Sequence, residues 1–276
     1  MTPPTPPTPP ILSTPKRTLN DARGRTVTLG TLPRRIVSLV PSQTELLADL
    51  GLDDEVVGLT RFCVHPAGWK KRKQIVGGTK NVNAERVAAL EPDLVLANLE
   101  ENVREQVEAL DELAPVFVTD PATVEGALGM IRTVGALVGR SDRAEALADA
   151  VARGFDGLAA QPPVQAAYLI WRTPWMTVGG DTFVHDVLRR ASLVNVFGEQ
   201  TRYPEVTLDA IAAAEPEVVL LSSEPFPFRE KHLAEVGAAV PGAAVHLVDG
   251  ELFSWYGSRM RLMPPYLAAL RGRLGA

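Results

Sequence analysis

Arg35-Ile-Val-Ser-Leu-Val-Pro-Ser-Gln-Thr-Glu-Leu-Leu-Ala-Asp-Leu-Gly51 spells out a strand, a turn and a helix in one continuous stretch. Residues 35–40 are apolar and rich in β-branched side chains, the composition of a strand buried on both faces. Pro41 stops that strand, and Ser42-Gln-Thr-Glu45 has the pattern of a capping box. In such a box the Ser42 hydroxyl accepts the Glu45 amide proton while the Glu45 carboxylate reaches back. The helix then runs through Leu46, Leu47 and Leu50 to Gly51, a residue suited to the left-handed turn that ends helices.

The alternation continues outward from this unit. Residues 56–59, 74–76, 94–97 and 116–118 read as strands, and residues 84–90, 101–113 and 123–138 as helices. It restarts after Pro162-Pro163, with strands expected at 167–171, 218–221 and 245–248. The helices expected there are 182–191, 208–214 and 230–240, with a last one after Arg259. Strands alternating with helices predict mainly parallel sheets covered on both faces, hence an α/β fold. Between the halves, residues 141–158 place apolar and alanine side chains at helical spacing, with Ser141 as the N-cap, and no glycine- or serine-rich linker intervenes.

The halves also repeat. Leu90-Glu-Pro-Asp-Leu-Val-Leu-Ala-Asn-Leu-Glu100 matches Ala214-Glu-Pro-Glu-Val-Val-Leu-Leu-Ser-Ser-Glu224, an offset of 124 (residue 214 against residue 90). Further on, Val116-Phe-Val-Thr-Asp120 echoes Val245-His-Leu-Val-Asp249. The expected organisation is a proline-rich extended tail over residues 1–18, an N-terminal α/β lobe over 19–140, a backbone helix over 141–160 and a C-terminal α/β lobe over 161–276. The architecture predicted is two Rossmann-like lobes joined by a long rigid helix, with a ligand cleft between them.

Composition narrows the function. Hydrophobic residues make up 46% of the chain and charged residues 22%, enough apolar material for a core in each lobe. A net charge of −5 argues against nucleic acid and against an anionic membrane surface. No run of about 18 apolar residues is present to span a bilayer. Cys63 is the one cysteine, so no disulfide forms within the chain. The start, TPPTPPTPP over residues 2–10, has none of the features of a secretory signal. The expectation is therefore a cytoplasmic monomer, with an extracytoplasmic location as the alternative if an export signal is missing from this chain.

In open parallel sheets, ligands bind beyond the carboxyl ends of the strands. Those positions hold Ser42, Arg61, Phe62, His65, Lys80 and Glu101 in the first half. In the second half they hold Trp171, Trp175, Asp181, Glu224, Trp255, Tyr256 and Arg259. Aromatic residues are only 6% of the chain, yet three of its four tryptophans fall in these loops, as suits a large, partly apolar ligand. Arg61, Lys80 and Arg259 are available to anionic groups on it. Cys63 and His65 stand two apart and read either as a nucleophile or metal pair or as a buried thiol beside a loop histidine. Four scattered histidines give no zinc site, and Gly77-Gly78-Thr79-Lys80 lacks the spacing of a phosphate loop. No catalytic constellation is legible.

Taken together, these segments resemble the iron-complex and vitamin B12 periplasmic binding proteins, the class with a helical backbone between its lobes. The resemblance rests on Arg35–Leu47, Leu50-Gly51, Val57-Gly58, Val76-Gly77-Gly78, the Asn83–Val95 segment and Tyr203-Pro-Glu-Val-Thr-Leu208. It implies little hinge closure and a ligand such as a corrinoid, a ferric siderophore or haem, held between the lobes with no intrinsic cofactor. It also adds Tyr203 to the ligand-binding residues. Family members that feed an ABC permease are exported and dock through surface glutamates; the matching first-lobe position here is the uncharged Gln74. Two functions stay open: a binding protein for a metal-containing cofactor, serving ABC-type uptake or intracellular handling, or an enzyme acting on a tetrapyrrole or other small molecule in the same cleft.

Overall fold

A computed structural model describes residues 16–274, so most of the proline-rich tail lies outside the described residues. Residues 17 and 18, expected in the extended tail, lie in a strand instead: β1 (Arg17–Asn20) and β2 (Thr26–Leu29) form an antiparallel hairpin. It buries Val27 and Leu29, and Arg17 Nε donates to the Ala136 carbonyl at 3.0 Å. The alternation of β2 is too short to stand out in the sequence, and long-range anchors of this kind cannot be read there.

The first lobe runs through β3 (Ile36–Ser38), α1 (Pro41–Asp49), β4 (Val56–Leu59), α2 (Trp69–Arg72) and β5 (Gln74–Ile75). It continues with β6 (Gly77–Gly78), β7 (Asn81–Val82), α3 (Ala84–Ala88), β8 (Leu94–Asn98), α4 (Arg104–Leu110) and β9 (Val116–Thr119). Its sheet has the order β5-β4-β3-β8-β9 with every pairing parallel. All five residues of β8 are buried, as a central parallel strand with helices on both faces requires. Two expectations fail at helix starts. Pro41 opens α1 from its first position, where its fixed φ suits a helix, and no side chain caps that end. Ser42 therefore lies inside the helix, and Glu45 turns to Arg259 instead of closing a capping box. The helix expected from residue 101 starts at Arg104, because the Asn98 side chain accepts the Glu100 and Glu101 amides at 2.9 and 3.0 Å and holds that stretch in a turn.

The spine between the lobes is a helix pair. The start of α5 (Val124–Leu137) meets the second lobe, where the Val124 amide donates to Asp186 at 2.9 Å; its end meets the first, at Arg17. The chain reverses at Gly139, φ 70°, and α6 (Ser141–Asp156) returns, with Arg143 on the Leu50 carbonyl at one end and Phe155 under the Arg190 guanidinium at the other. The cap of α6 is Arg140, with no side-chain hydrogen bond, and the helix stops four residues short of the expected 160. Gly135 is the point of closest approach: a Cβ there would stand 2.1 Å from the Ala144 Cβ.

The second lobe holds β10 (Val164–Leu169), β11 (Trp175–Met176), α7 (Phe183–Arg190), β12 (Leu193–Asn195), β13 (Glu205–Val206) and α8 (Leu208–Ala213). After these come β14 (Val218–Ser222), α9 (Glu230–Ala239) and β15 (Ala244–Val248). The sheet order is β12-β10-β14-β15, again all parallel. β12 was not foreseen, being three residues long, and β10 ends at Leu169, which leaves Trp171 on the loop. The repeat is structural as well as sequential. The pairs β7 and β13, α3 and α8, and β8 and β14 begin 124 residues apart (residue 218 against residue 94). Asn83 and Thr207 cap their helices in the same way, and Glu91 and Glu215, each preceding a proline, share left-handed φ values of 44° and 47°.

The last segment does not stay on the second lobe. α10 (Glu251–Ser254) and a 3-10 turn (Ser258–Leu262) carry the chain back onto α1, and α11 (Met263–Leu274) then packs on α6. Gly257, at φ 112°, passes α1 so closely that a Cβ would lie 3.3 Å from the Ser42 carbonyl. Among the described residues no helix is long and apolar enough to cross a membrane. The helix pair yields a direct test. Gly135→Ala gains up to about 1 kcal/mol of helix propensity but overpacks the α5–α6 crossing by about 1–3 kcal/mol. The thermal unfolding midpoint is expected to fall; a rise would mean the helices are not held at this spacing.

Candidate functional site

The carboxyl ends of the two sheets face each other, and the loops beyond them meet through charged side chains. At the centre is Arg259, in the 3-10 turn, whose Nε and Nη2 donate to the two Glu45 carboxylate oxygens at 2.8 and 2.9 Å. Its Nη1 lies 3.0 Å from Glu251, which also meets His65 Nε2 at 3.1 Å. The Arg259 side chain is 11% exposed and that of Glu45 15%, so this ion pair is largely withdrawn from water. Trp255 fills the space beneath: Arg259 lies over its ring at 5.2 Å and His65 meets it edge-on at 5.5 Å. α1, the β4 loop and the segment after β15 are thus tied at one joint.

Glu224, at the end of β14, accepts from Trp255 Nε1 at 2.6 Å and from Ser254 Oγ at 2.9 Å. Burial pushes its carboxyl up to about 7, against the lowering effect of those two bonds. A pocket of about 550 Å³ opens beside it, lined by Ser223, Glu224, Leu247, Val248, Asp249 and Glu251. Another, of about 400 Å³, lies between the β1–β2 hairpin and β9 near Arg23, Arg25 and Asp111, away from these loops.

A second bridge crosses the mouth. Tyr203 Oη donates to Glu100 at 2.8 Å and Arg202 pairs with the same carboxylate at 2.6 Å, while Lys80 Nζ donates to the Glu100 carbonyl. Glu100 and Glu224 are counterparts in the repeat, one at the end of each equivalent strand. Next to Glu100, Glu101 sits deep in the cleft with some solvent access; burial raises its carboxyl above the usual carboxylate range. Tyr256, 5% exposed, packs edge-on against Phe183, and burial, with Glu101 and Glu100 adding to it, pushes its phenol up.

The sequence candidates divide accordingly. The structure brings His65, Glu224, Trp255 and Arg259 into one network, Lys80 and Tyr203 to Glu100, and Ser42 close to Tyr256. Phe62, 52% exposed beneath Arg61, and Trp171, 39% exposed against Phe226, form apolar faces on loops of opposite lobes. Arg61 also reaches Asn81 at 2.8 Å. Trp175 and Asp181 are not brought to the others. Trp175, partly buried, stacks on Phe228 against the second lobe's core, and Asp181 accepts the Arg202 amide at 2.5 Å. Cys63 is fully buried between Thr44 and Thr60, and burial pushes its thiol up, so it does not act with His65. Sequence reasoning missed Glu45, Glu100, Arg202 and Glu251. Glu100 was accessible through the repeat with Glu224; the rest are set by contacts between distant segments.

Two outcomes follow from these charges. Arg259→Ala leaves Glu45 and Glu251 without their cation and is expected to cost about 3–5 kcal/mol, read as a lower urea midpoint. An unchanged midpoint would show that water already solvates the joint. The Glu224 carboxyl, raised from 4.5 to about 7, holds more proton in the folded than in the unfolded chain between those values. Stability should therefore fall as pH rises through that window, by roughly 3 kcal/mol at most. Glu224→Gln should flatten the pH dependence of unfolding there; an undiminished slope would place the titrating group elsewhere.

Comparison with known proteins agrees with this architecture. Residues 36–238 match the periplasmic binding protein family. An uncharacterised ABC transporter substrate-binding lipoprotein of Bacillus subtilis strain 168, YvrC, is 29% identical over 216 residues, covering 74% of this chain and 68% of its own. The vitamin B12-binding protein of Yersinia pestis strain Pestoides F is 26% identical over 206 residues, covering 71% and 73%. A solved periplasmic haem-binding protein from Pseudomonas aeruginosa has a TM-score of 0.74 at 25% identity, covering 88% of this chain and 93% of that one. All three are described as binding proteins rather than enzymes, and as periplasmic proteins, lipoproteins or vitamin binders, so the cytoplasmic expectation finds no support. The match over most of the chain, the two parallel-sheet lobes and the loops that meet between them lead to one assignment: the chain belongs to the periplasmic binding protein family.

Proposed function

We propose that this solute-binding protein holds a metal-containing macrocycle of the vitamin B12 type between its lobes, outside the cytoplasm, and delivers it unchanged to an ABC permease. The observation that carries the ligand class is the pair Phe62 and Trp171, large aromatic side chains left 52% and 39% exposed on loops of opposite lobes. Flat apolar surfaces on both sides of a cleft suit a broad ring system, and exposing them is unfavourable unless something covers them. The polar groups favour a corrinoid over haem. Glu100, Glu101, Glu224 and Glu251 crowd the loops between the lobes, and Arg259 is already committed to Glu45 and Glu251, so carboxylates on a ligand gain little there. His65 Nε2, the nitrogen suited to ligate a metal centre, is engaged by Glu251. The resemblance to a vitamin B12-binding protein supports the same reading.

Gln74, the residue at the expected docking position, is exposed at the end of the first sheet on edge strand β5, so any permease contact there is uncharged. The test is a tryptophan-fluorescence titration with hydroxocobalamin, run beside haemin and a ferric siderophore and corrected for their absorbance. Saturable one-to-one quenching by hydroxocobalamin is expected, with affinity weakened about tenfold in Trp171→Ala through loss of an aromatic face. Saturation by haemin or the siderophore alone would move the assignment to that class. No saturable response to any of them would overturn the macrocycle reading.

A further inference from the structure

One stretch of the chain carries a charge opposite to the rest. Residues 61–86 hold seven lysines and arginines against a single carboxylate, Glu85, a net +6 in a chain of net −5, so the remaining residues carry −11. The fold sets these side chains along one margin of the first lobe. α2, mostly lysine and arginine, leads directly into β5, the edge strand of the sheet. Arg72 and Lys73 lie at the entry to β4, paired with Asp53 at 2.9 and 3.3 Å. Arg86 reaches the Ile75 carbonyl of β5 at 3.3 Å, and Arg61 stands beyond the end of β4, on Asn81 at 2.8 Å. Lys80 alone turns away, to the Glu100 carbonyl at the cleft mouth. Arg61, Lys70, Lys71 and Arg86 are exposed, and among the described residues none of the four forms an ion pair.

The net charge weighs against an anionic surface only as an average over the chain. At physiological ionic strength a surface feels charges within about 8 Å, so it meets this margin without the acids of the other faces. The chemistry of the margin selects its partner. Trp69, the aromatic residue of α2, is 3% exposed and turned inward, with Lys73 Nζ 5.3 Å from its ring centre. The helix therefore offers no apolar anchor of the kind that dominates binding between proteins. Lys70 and Lys71 are point charges on flexible stems, which need no fixed partner geometry. We propose that this margin rests on a bilayer surface of anionic lipid headgroups, led by Lys70 and Lys71 with Arg72, Arg61 and Arg86 alongside, held by charge and without insertion of any segment. Each basic side chain near such a surface strengthens attachment about fivefold, so a handful gives reversible binding. The margin ends at the loop that carries Phe62, and attachment brings that side of the cleft to the membrane. Attachment of this kind is independent of what the cleft holds.

The test is sedimentation of the full chain, without added ligand, with vesicles of phosphatidylcholine alone and with vesicles containing about one third phosphatidylglycerol. Binding is expected on the anionic vesicles only, and is expected to be lost as salt rises from about 50 mM to about 500 mM. Lys70→Ala combined with Lys71→Ala should weaken it about 25-fold, at about fivefold per lysine. The thermal midpoint of that variant should not change, because both side chains are exposed. Lys231→Ala, on α9 of the second lobe, should bind as the unaltered chain does. No preference for the anionic vesicles, binding that resists salt, or full binding by the folded double variant overturns the proposal. Binding to soluble polyglutamate without binding to the vesicles overturns it too, and assigns the margin to an acidic protein. With no ligand present, failure here leaves the macrocycle reading standing, and failure of that reading leaves vesicle binding as expected.

Discussion

Arg259 is the interaction on which the arrangement of loops depends. A single guanidinium engages Glu45 from α1 through two parallel hydrogen bonds and Glu251 from α10 through a third contact, and Glu251 in turn holds His65. The geometry is that of a planar fork matched to a carboxylate, which lysine does not reproduce. Because these charges are mostly withdrawn from water, each needs its partner, and the joint forms as a unit or not at all. It also diverts Glu45 from the local cap that its own helix offered.

The joint works within a frame of closely packed helices. Two antiparallel helices cross between the lobes, closely enough at Gly135 and Ala144 to exclude a methyl group, and the C-terminal segment crosses a second time to lie on α1 and α6. The lobes are thus joined by three passes of packed backbone. Between the loops, Glu100 of the first lobe bonds to Tyr203 and Arg202 of the second.

The chemistry between the lobes is acidic, hydrogen-bonding and flanked by aromatic faces. Carboxylates cluster where the equivalent ends of β8 and β14 approach, a consequence of the repeat that puts Glu100 and Glu224 in matching places. Burial then separates their environments: Glu100 keeps an arginine, whereas Glu224 has only an indole and a hydroxyl, and its carboxyl is held near neutrality. Similar local sequences become different groups because the surroundings are not duplicated.

What the sequence determined by itself was everything that depends on neighbours along the chain. The parallel strands were legible because residues buried on both faces must be continuously apolar, as in Leu94-Val-Leu-Ala and Val218-Val-Leu-Leu; the repeat and the Gly51 stop were legible for equally local reasons. The loops beyond the strands were found because parallel sheets place them at one end, which located His65, Glu101, Glu224 and Arg259 without saying what they touch. Tertiary structure alone decided the rest. It packed Trp175 against the second lobe's core, made Arg259 a structural joint, turned one expected spine helix into two, and drew Glu45, Arg202 and Glu251 into the site. The reason is physical: a charged side chain shows no periodicity, and its role is set by which distant partner shares its burial.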